Sequence, residues 1–185
     1  MQKNIFFDLT KLKSLGKNVI IGKTVRIRYP ELVEIGDNVI IDDFTYISTR
    51  IKLYSNIHIS AGCKIIGGKG AYVEMNEFST LAPNVVLSAG SDDYSSGIAT
   101  PLVPLKYKGH AKIGNILLNK HCIVGAGSVV LPDVVFSEGA CLGALSLANK
   151  NLEPFTLYAG IPARKIKKRD KEEILKLEKE FHHER

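Results

Sequence analysis

A chain of 185 residues has room for one domain and an appendage, not for two full cores. At 45% apolar and 24% charged it is composed like a folded globular protein rather than a disordered one, and no apolar run approaches the roughly 20 residues needed to cross a bilayer. The formal charge of +6 asks for an anionic partner, and three cysteines, Cys63, Cys122 and Cys141, are too few and too uneven for a disulfide scaffold and fit a reducing cytoplasm.

At the N-terminus, Met1 to Lys13 carries Asp8 and several lysines where a secretory signal needs an apolar stretch. Residues 1–14 precede any repeat and are expected to cap the first coil. A period of six then takes over. Every sixth residue is apolar through Ile35, Ile41, Ile47, Leu53, Ile59 and Ile65, again through Met75, Leu81 and Leu87, and again through Leu118, Val124, Val130, Phe136 and Leu142, with Ile21 opening an earlier hexad. The fifth positions are small or β-branched, as in Val25, Thr45, Cys63, Ser79, Ser128 and Ser146. Between them stand Gly, Asn and Asp, which tolerate the left-handed backbone of tight corners.

Six is neither the helical period nor the simple alternation of a half-buried strand. It suits a short strand and a turn repeated around a solenoid, expected over residues 15–168. Tyr29-Pro30-Glu31 slips the phase by two, Gly67 to Gly70 breaks it, and residues 91–112, with Gly97, Pro101, Pro104 and Gly109, carry none. That last stretch predicts a protruding loop, and loops so long are usually functional. Beyond Pro162 the composition turns Lys/Glu-rich. Ile174, Leu177 and Phe181 form a narrow apolar seam, predicting one amphipathic helix within a tail at 169–185.

The basic run from Arg164 to Lys171 holds six cations and one anion. It is short and lacks a flanking aromatic platform, so a polyanionic small molecule suits it better than nucleic acid. Among the histidines, His58 points outward by phase and His182-His183 lie at a helix end. His110 lies at the loop's return. His121 holds a fourth, corner position, where a turn role and a chemical role are both open. Cys63 and Cys122 fall at packed corner positions, where a thiol is inert.

The repeat, together with Tyr158-Ala159-Gly160-Ile161-Pro162-Ala163-Arg164-Lys165-Ile166, resembles the hexapeptide-repeat acyltransferases of the sugar and xenobiotic type. The resemblance implies an all-β, left-handed parallel β-helix, a homotrimer with coenzyme A between neighbouring subunits, and a protruding loop reaching a neighbour. It implies acetyl transfer from acetyl-CoA to an amino or hydroxyl group of a sugar or nucleotide sugar, without metal, in bacterial surface-glycan biosynthesis. By match to the family's motif, Ala126 and Ala144 would touch the pantetheine arm, while Asn149, Lys150, Arg164 and Lys167 would meet adenine and phosphates. Where relatives that acetylate sugar hydroxyls carry a loop-mouth histidine, this chain has Asp92 and Asp93. The base is then sought among His121, His110 and Asp92, or an amine acceptor needs none. Two other readings compete: a non-catalytic scaffold β-helix, and a zinc hydratase, for which His58, His110 and His121 show no close ligand spacing.

Overall fold

The structure, a computed structural model, describes residues 4–100 and 102–184. Residues 1–3 of the expected cap, Pro101 of the loop and Arg185 of the tail lie outside the described residues. Each hexad is a short strand followed by a corner, and three hexads close one coil. Thus Val39–Ile41 pairs in parallel with Ile57–Ile59, and Ile123–Val124 with Cys141–Leu142, three hexads on. The stacked coils form a left-handed parallel β-helix with three faces.

The first face holds seven parallel strands, from Ile20–Ile21 to Thr156–Ala159, and an antiparallel edge strand, Arg164–Lys168. The second and third faces share one sheet of ten strands. They are continuous because Tyr46–Leu53 and Lys64–Met75 run unbroken around the corner between them. All fifteen leading residues of the hexads point inward and are buried, Ile41, Ile47, Ile65, Leu87 and Phe136 completely. Burying each such side chain contributes roughly 1.5–3 kcal/mol. The fifth positions fill the narrow inside of the corners, where only small or β-branched groups fit. Their hydroxyls are satisfied locally: Ser128 Oγ donates to the Gly143 carbonyl at 2.8 Å and Thr45 Oγ1 to that of Ser60 at 3.3 Å.

The corners between the third and first faces, here the third corners, form a column of left-handed residues: Asn18, Asn38, Asn56, Phe78, His121, Gly139 and Phe155. Their amides bond from coil to coil, as from Asn56 to the Asp37 carbonyl at 3.0 Å and from His121 to that of Glu77 at 3.1 Å. The first corners, between the first and second faces, repeat the arrangement with Phe44, Gly62, Asn84, Gly127, Leu145 and Gly160. Phenylalanine and leucine in this conformation depart from the turn chemistry that the sequence leads one to expect.

Every departure from the six-residue interval among the described inward residues falls at the second corner. A short 3-10 turn, Pro30–Leu32, sits between Ile27 and Ile35, and the glycine run sits between Ile65 and Met75. The long loop rises there too, from an antiparallel ribbon joining Gly90–Ser91 to Lys112–Ile113. At the N-terminal end, buried Asn4 donates to the Val25 carbonyl at 2.8 Å and folds residues 4–12 over the first coil.

The one α-helix among the described residues, α1 (Lys171–His183), is capped by Asp170, whose carboxylate accepts the Glu173 amide at 3.0 Å. The preceding basic run is extended rather than the start of a helix. Pairing with Thr156–Ala159 makes Arg164–Lys168 a charged edge strand, which blocks further strand addition.

Candidate active site

The second face presents one outward ladder across its parallel strands: Arg26, Tyr46, Lys64, Val86, Val129 and Leu147. Two cations flank an aromatic ring, and three aliphatic rungs follow. Beside the aliphatic rungs lie the first corners of Ala126 and Ala144. Their coils stack through a bond of 2.9 Å from the Leu145 amide to the Ala126 carbonyl. A side chain at Gly125 would strike the Ala144 amide, so glycine there is what lets the two corners approach. The result is a smooth wall of small residues next to an aliphatic strip.

Asn149 and Lys150 are exposed at the following second corner, and Arg164 and Lys167 on the edge strand. Lys165 is 2.6 Å from Glu153, and Lys168 contacts the same carboxylate at 3.5 Å. Lys150, Arg164 and Lys167 have no anionic partner among the described residues.

The two loop carboxylates differ. Asp93 accepts the Ser96 hydroxyl at 2.6 Å and the amides of His110 and Ser95 at 2.9 Å. The Ser96 hydroxyl, then those amides, hold its carboxyl far below the usual range. Asp93 therefore ties the loop's two ends together, with His110 as its partner through the backbone. Asp92 stands at the loop mouth, half-exposed and 3.6 Å from the Lys108 ammonium. It leaves the ribbon directly after the second-face strand Val86–Ser88, at the second corner, with the second face between it and the first-corner wall of Ala126 and Ala144.

His121 lies elsewhere. It sits at a third corner, with the strand Ile123–Val124 between it and the Ala126 corner. Its Nε2 is 2.9 Å from Glu178 Oε2 of α1, and its ring stacks on Phe78 at 5.2 Å and 4°. Glu178 also pairs with Lys120. Burial pushes the Glu178 carboxyl up, but the Lys120 and His121 contacts outweigh this and bring it to about 2. Arg169 adds bonds to the carbonyls of His121 and Gly139 at 2.8 and 2.7 Å. A cleft of about 460 Å³ remains between helix and corner, lined by Phe78, Ile174, Leu177 and Phe181. His121 thus stands at the corner before this first-face strand, and Gly125-Ala126-Gly127 at the corner after it. Nothing in the sequence pointed to Glu178 or Phe78.

The remaining side chains behave as the hexad phase implies. His58 is on the surface, 2.8 Å from Asp42. Burial pushes the Cys63 and Cys122 thiols up to about 11 and about 12, so neither is a nucleophile. No cluster of metal-ligating side chains occurs among the described residues.

A three-faced β-helix with a smooth glycine–alanine corner wall, unpaired cations beyond it and a carboxylate-bearing loop is the framework of an acyl-CoA-dependent acyltransferase. No family model matches the sequence. Among curated proteins it is similar to a dTDP-4-amino-4,6-dideoxy-D-glucose acyltransferase of Escherichia coli, 38% identical over 91% of this chain and 88% of that one. Among solved structures it is similar to AntD, an N-acyltransferase from Bacillus cereus in complex with dTDP and 3-hydroxybutyryl-CoA. The identity is 36% over 98% of each chain, with a TM-score of 0.91. A variant of AntD with dTDP-4-amino-4,6-dideoxyglucose and coenzyme A superposes equally well, with a TM-score of 0.91 at 36% identity over the whole of both chains. The chain belongs to this family of hexapeptide-repeat acyltransferases.

Proposed function

We propose that the protein transfers an acyl group from coenzyme A to the amino group of a nucleotide-linked sugar of the dTDP-4-amino-4,6-dideoxyglucose kind. The observation that supports this reading best is the free-standing carboxylate of Asp92 at the loop mouth, while His121 is engaged by Glu178 and Phe78. A hydroxyl acceptor needs a base near neutrality, for which histidine is suited, whereas a neutral amine is already a nucleophile. Asp92 holds the amino group through an N–H···O bond while solvent takes the ammonium proton. The nitrogen lone pair then attacks the thioester carbonyl, forming the C–N bond. The oxyanion collapses, the C–S bond breaks, and the departing thiolate takes up the proton released by nitrogen. Ala126 and Ala144 flank the pantetheine arm, and Asn149, Lys150, Arg164 and Lys167 receive adenine and phosphates.

The working form is a homotrimer. The loop carries Tyr94, Leu102 and Leu105 at 93%, 90% and 83% exposure, apolar groups that need a second surface, and a neighbour's second face supplies it. The reaction belongs in the cytoplasm, where it feeds surface-glycan assembly. Acetyl-CoA is the expected donor, and a 3-hydroxyacyl thioester is the alternative. The test follows thiol release from each donor with amino and hydroxyl nucleotide sugars. Release with the amino sugar alone is expected, and release only with a hydroxyl acceptor overturns the reading. Light scattering at the monomer mass removes the intersubunit site.

A further inference from the structure

Resting on that reading, we infer that Lys108 is a positioning residue that sets the protonation state of the bound acceptor. Its ammonium offsets the Asp92 carboxylate, so the sugar's nitrogen is held as the neutral nucleophile rather than as an ammonium ion.

A carboxylate alone at the loop mouth would work against amide formation. Sugar amines, like α-amino groups with values of about 7.7–8.0, are largely protonated at neutral pH. An opposite charge beside such a group favours its charged form further. The more firmly a lone carboxylate gripped the ammonium, the less lone pair there would be to attack the thioester. A cation next to that carboxylate reverses the sign, because like charge disfavours protonation. The amine then gives its proton to water on binding and keeps one N–H bonded to Asp92.

Lys108 has the position this requires. Its Nζ stands 3.6 Å from Asp92 Oδ1, beyond hydrogen-bond length, and its side chain is 15% exposed against 44% for Asp92. A lysine so covered is rare unless paired. Asp92 is the only carboxylate within ion-pair distance of it among the described residues. Because the pair is not hydrogen-bonded, the carboxylate oxygens stay open to an incoming N–H. An amine bonded to Oδ1 at about 2.9 Å lies within about 6.5 Å of the Lys108 ammonium.

The loop is built to hold Lys108 there. Its amide closes the 3-10 turn Leu105–Tyr107 by donating to the Leu105 carbonyl at 3.0 Å, and the Ile98 amide donates to the Tyr107 carbonyl at 2.9 Å. A side chain at Gly97 would strike the Lys108 carbonyl, so glycine there lets the two limbs of the loop close. The other charges nearby are committed elsewhere. Asp93 serves Ser95, Ser96 and the His110 amide, Lys106 lies over the Tyr107 ring at 4.8 Å, and Lys112 pairs with Asp133 at 2.9 Å. On the glycine run against which the ribbon packs, Lys69 is 3.8 Å from Glu31, and on the second face Lys64 donates to the Gly62 carbonyl at 3.1 Å. His110 and Tyr94 are exposed.

The test binds dTDP-4-amino-4,6-dideoxyglucose to the enzyme at pH 7 by calorimetry in buffers of different ionisation enthalpy, which counts protons released. The unaltered enzyme should release about one proton per site, and Lys108→Met, which keeps the stem without the charge, far less. In kinetics with saturating acetyl-CoA, Lys108→Met should lower kcat about tenfold at pH 7 and lower the KM for the sugar with it, because ammonium then binds unproductively. Its rise of kcat with pH, which reports groups in the complex, should move up by about one pH unit. Lys108→Arg should restore the wild-type profile. Binding without proton release by the unaltered enzyme overturns the assignment. So does a Lys108→Met defect that is equal at every pH with a raised KM, the mark of a merely loosened loop. Either result leaves the proposed function standing while the unaltered enzyme acylates the amino sugar. Its failure to acylate any amino nucleotide sugar overturns that function and the assignment with it.

Discussion

The imidazole of His121 bridges Phe78, on which it stacks, and Glu178, 2.9 Å from its Nε2, so this corner histidine fastens the helix to the solenoid. His121→Ala should therefore lower the melting temperature, because a bond to a charged group worth about 1.5–3 kcal/mol is lost, and leave turnover nearly unchanged. Asp92→Asn should do the opposite, lowering kcat/KM for the acceptor by about 10–100-fold, the scale of one lost hydrogen bond to a charged group, at normal stability. Thermal melts with steady-state kinetics on both variants decide the matter. The reverse ranking would make His121 the base and overturn the holding role of Asp92.

The depressed Glu178 carboxyl makes helix docking acid-sensitive. Its native value of about 2 lies below the ordinary 4.5, so the ionised form stabilises the fold fully above pH 4.5. That stabilisation is lost as pH falls from about 4.5 towards 2. Hydrogen exchange of the amides in α1 should accelerate across this window. Glu178→Gln should abolish the dependence while loosening the helix at neutral pH.

Much of the architecture is readable from sequence because one inward residue per hexad must be apolar, and chance does not keep that phase. The loop is readable for the converse reason, since residues 91–112 drop it. The helix clamp is not, because Lys120 and His121 meet Glu178 only through tertiary packing across more than fifty residues. The strand Arg164–Lys168 is equally hidden, since its lysines favour helix locally and only Thr156–Ala159 makes them extended. Ala126, Ala144 and Asp92 came from motif or loop position. That their two corners border the second face emerges only when the coil register is known.

Cations that are free should matter to donor binding more than cations that are paired. Arg164→Ala and Lys167→Ala should each raise the KM for acyl-CoA by about tenfold, the worth of one phosphate contact, and flatten its salt dependence. Lys165→Ala should change it less, because Glu153 already neutralises that ammonium. Equal effects from all three would mean a diffuse field rather than defined contacts.

Removing an inward side chain tests the solenoid itself. Ile47 is completely buried, with coils above and below it. Ile47→Ala should cost about 2–5 kcal/mol, read from urea unfolding, whereas Ser95→Ala on the loop should be nearly silent in the same measurement.

Asp93 should govern the loop alone. Asp93→Ala removes the acceptor shared by the Ser95, Ser96 and His110 amides. Faster exchange at those three amides is expected, with no change at the ribbon Gly90–Ser91. The carboxyl lies below its ordinary 3.8, so the unaltered loop should loosen only as pH falls beneath that value.

The confinement of every phase irregularity to the second corner gives the molecule one editable seam. An added residue at the first or third corner would turn each following side chain to the wrong face unless the chain bulged to absorb it. The second corner already absorbs a two-residue slip before Val33, a glycine run before Ala71 and a complete loop before Asn115, and all the coils beyond stay in register. Lengthening that edge costs little, since closure entropy grows slowly with loop length. Specificity can therefore be rewritten by exchanging segments along this edge, including the loop that bears Asp92, while the corner wall of Ala126 and Ala144 on the opposite side of the second face is left as it is.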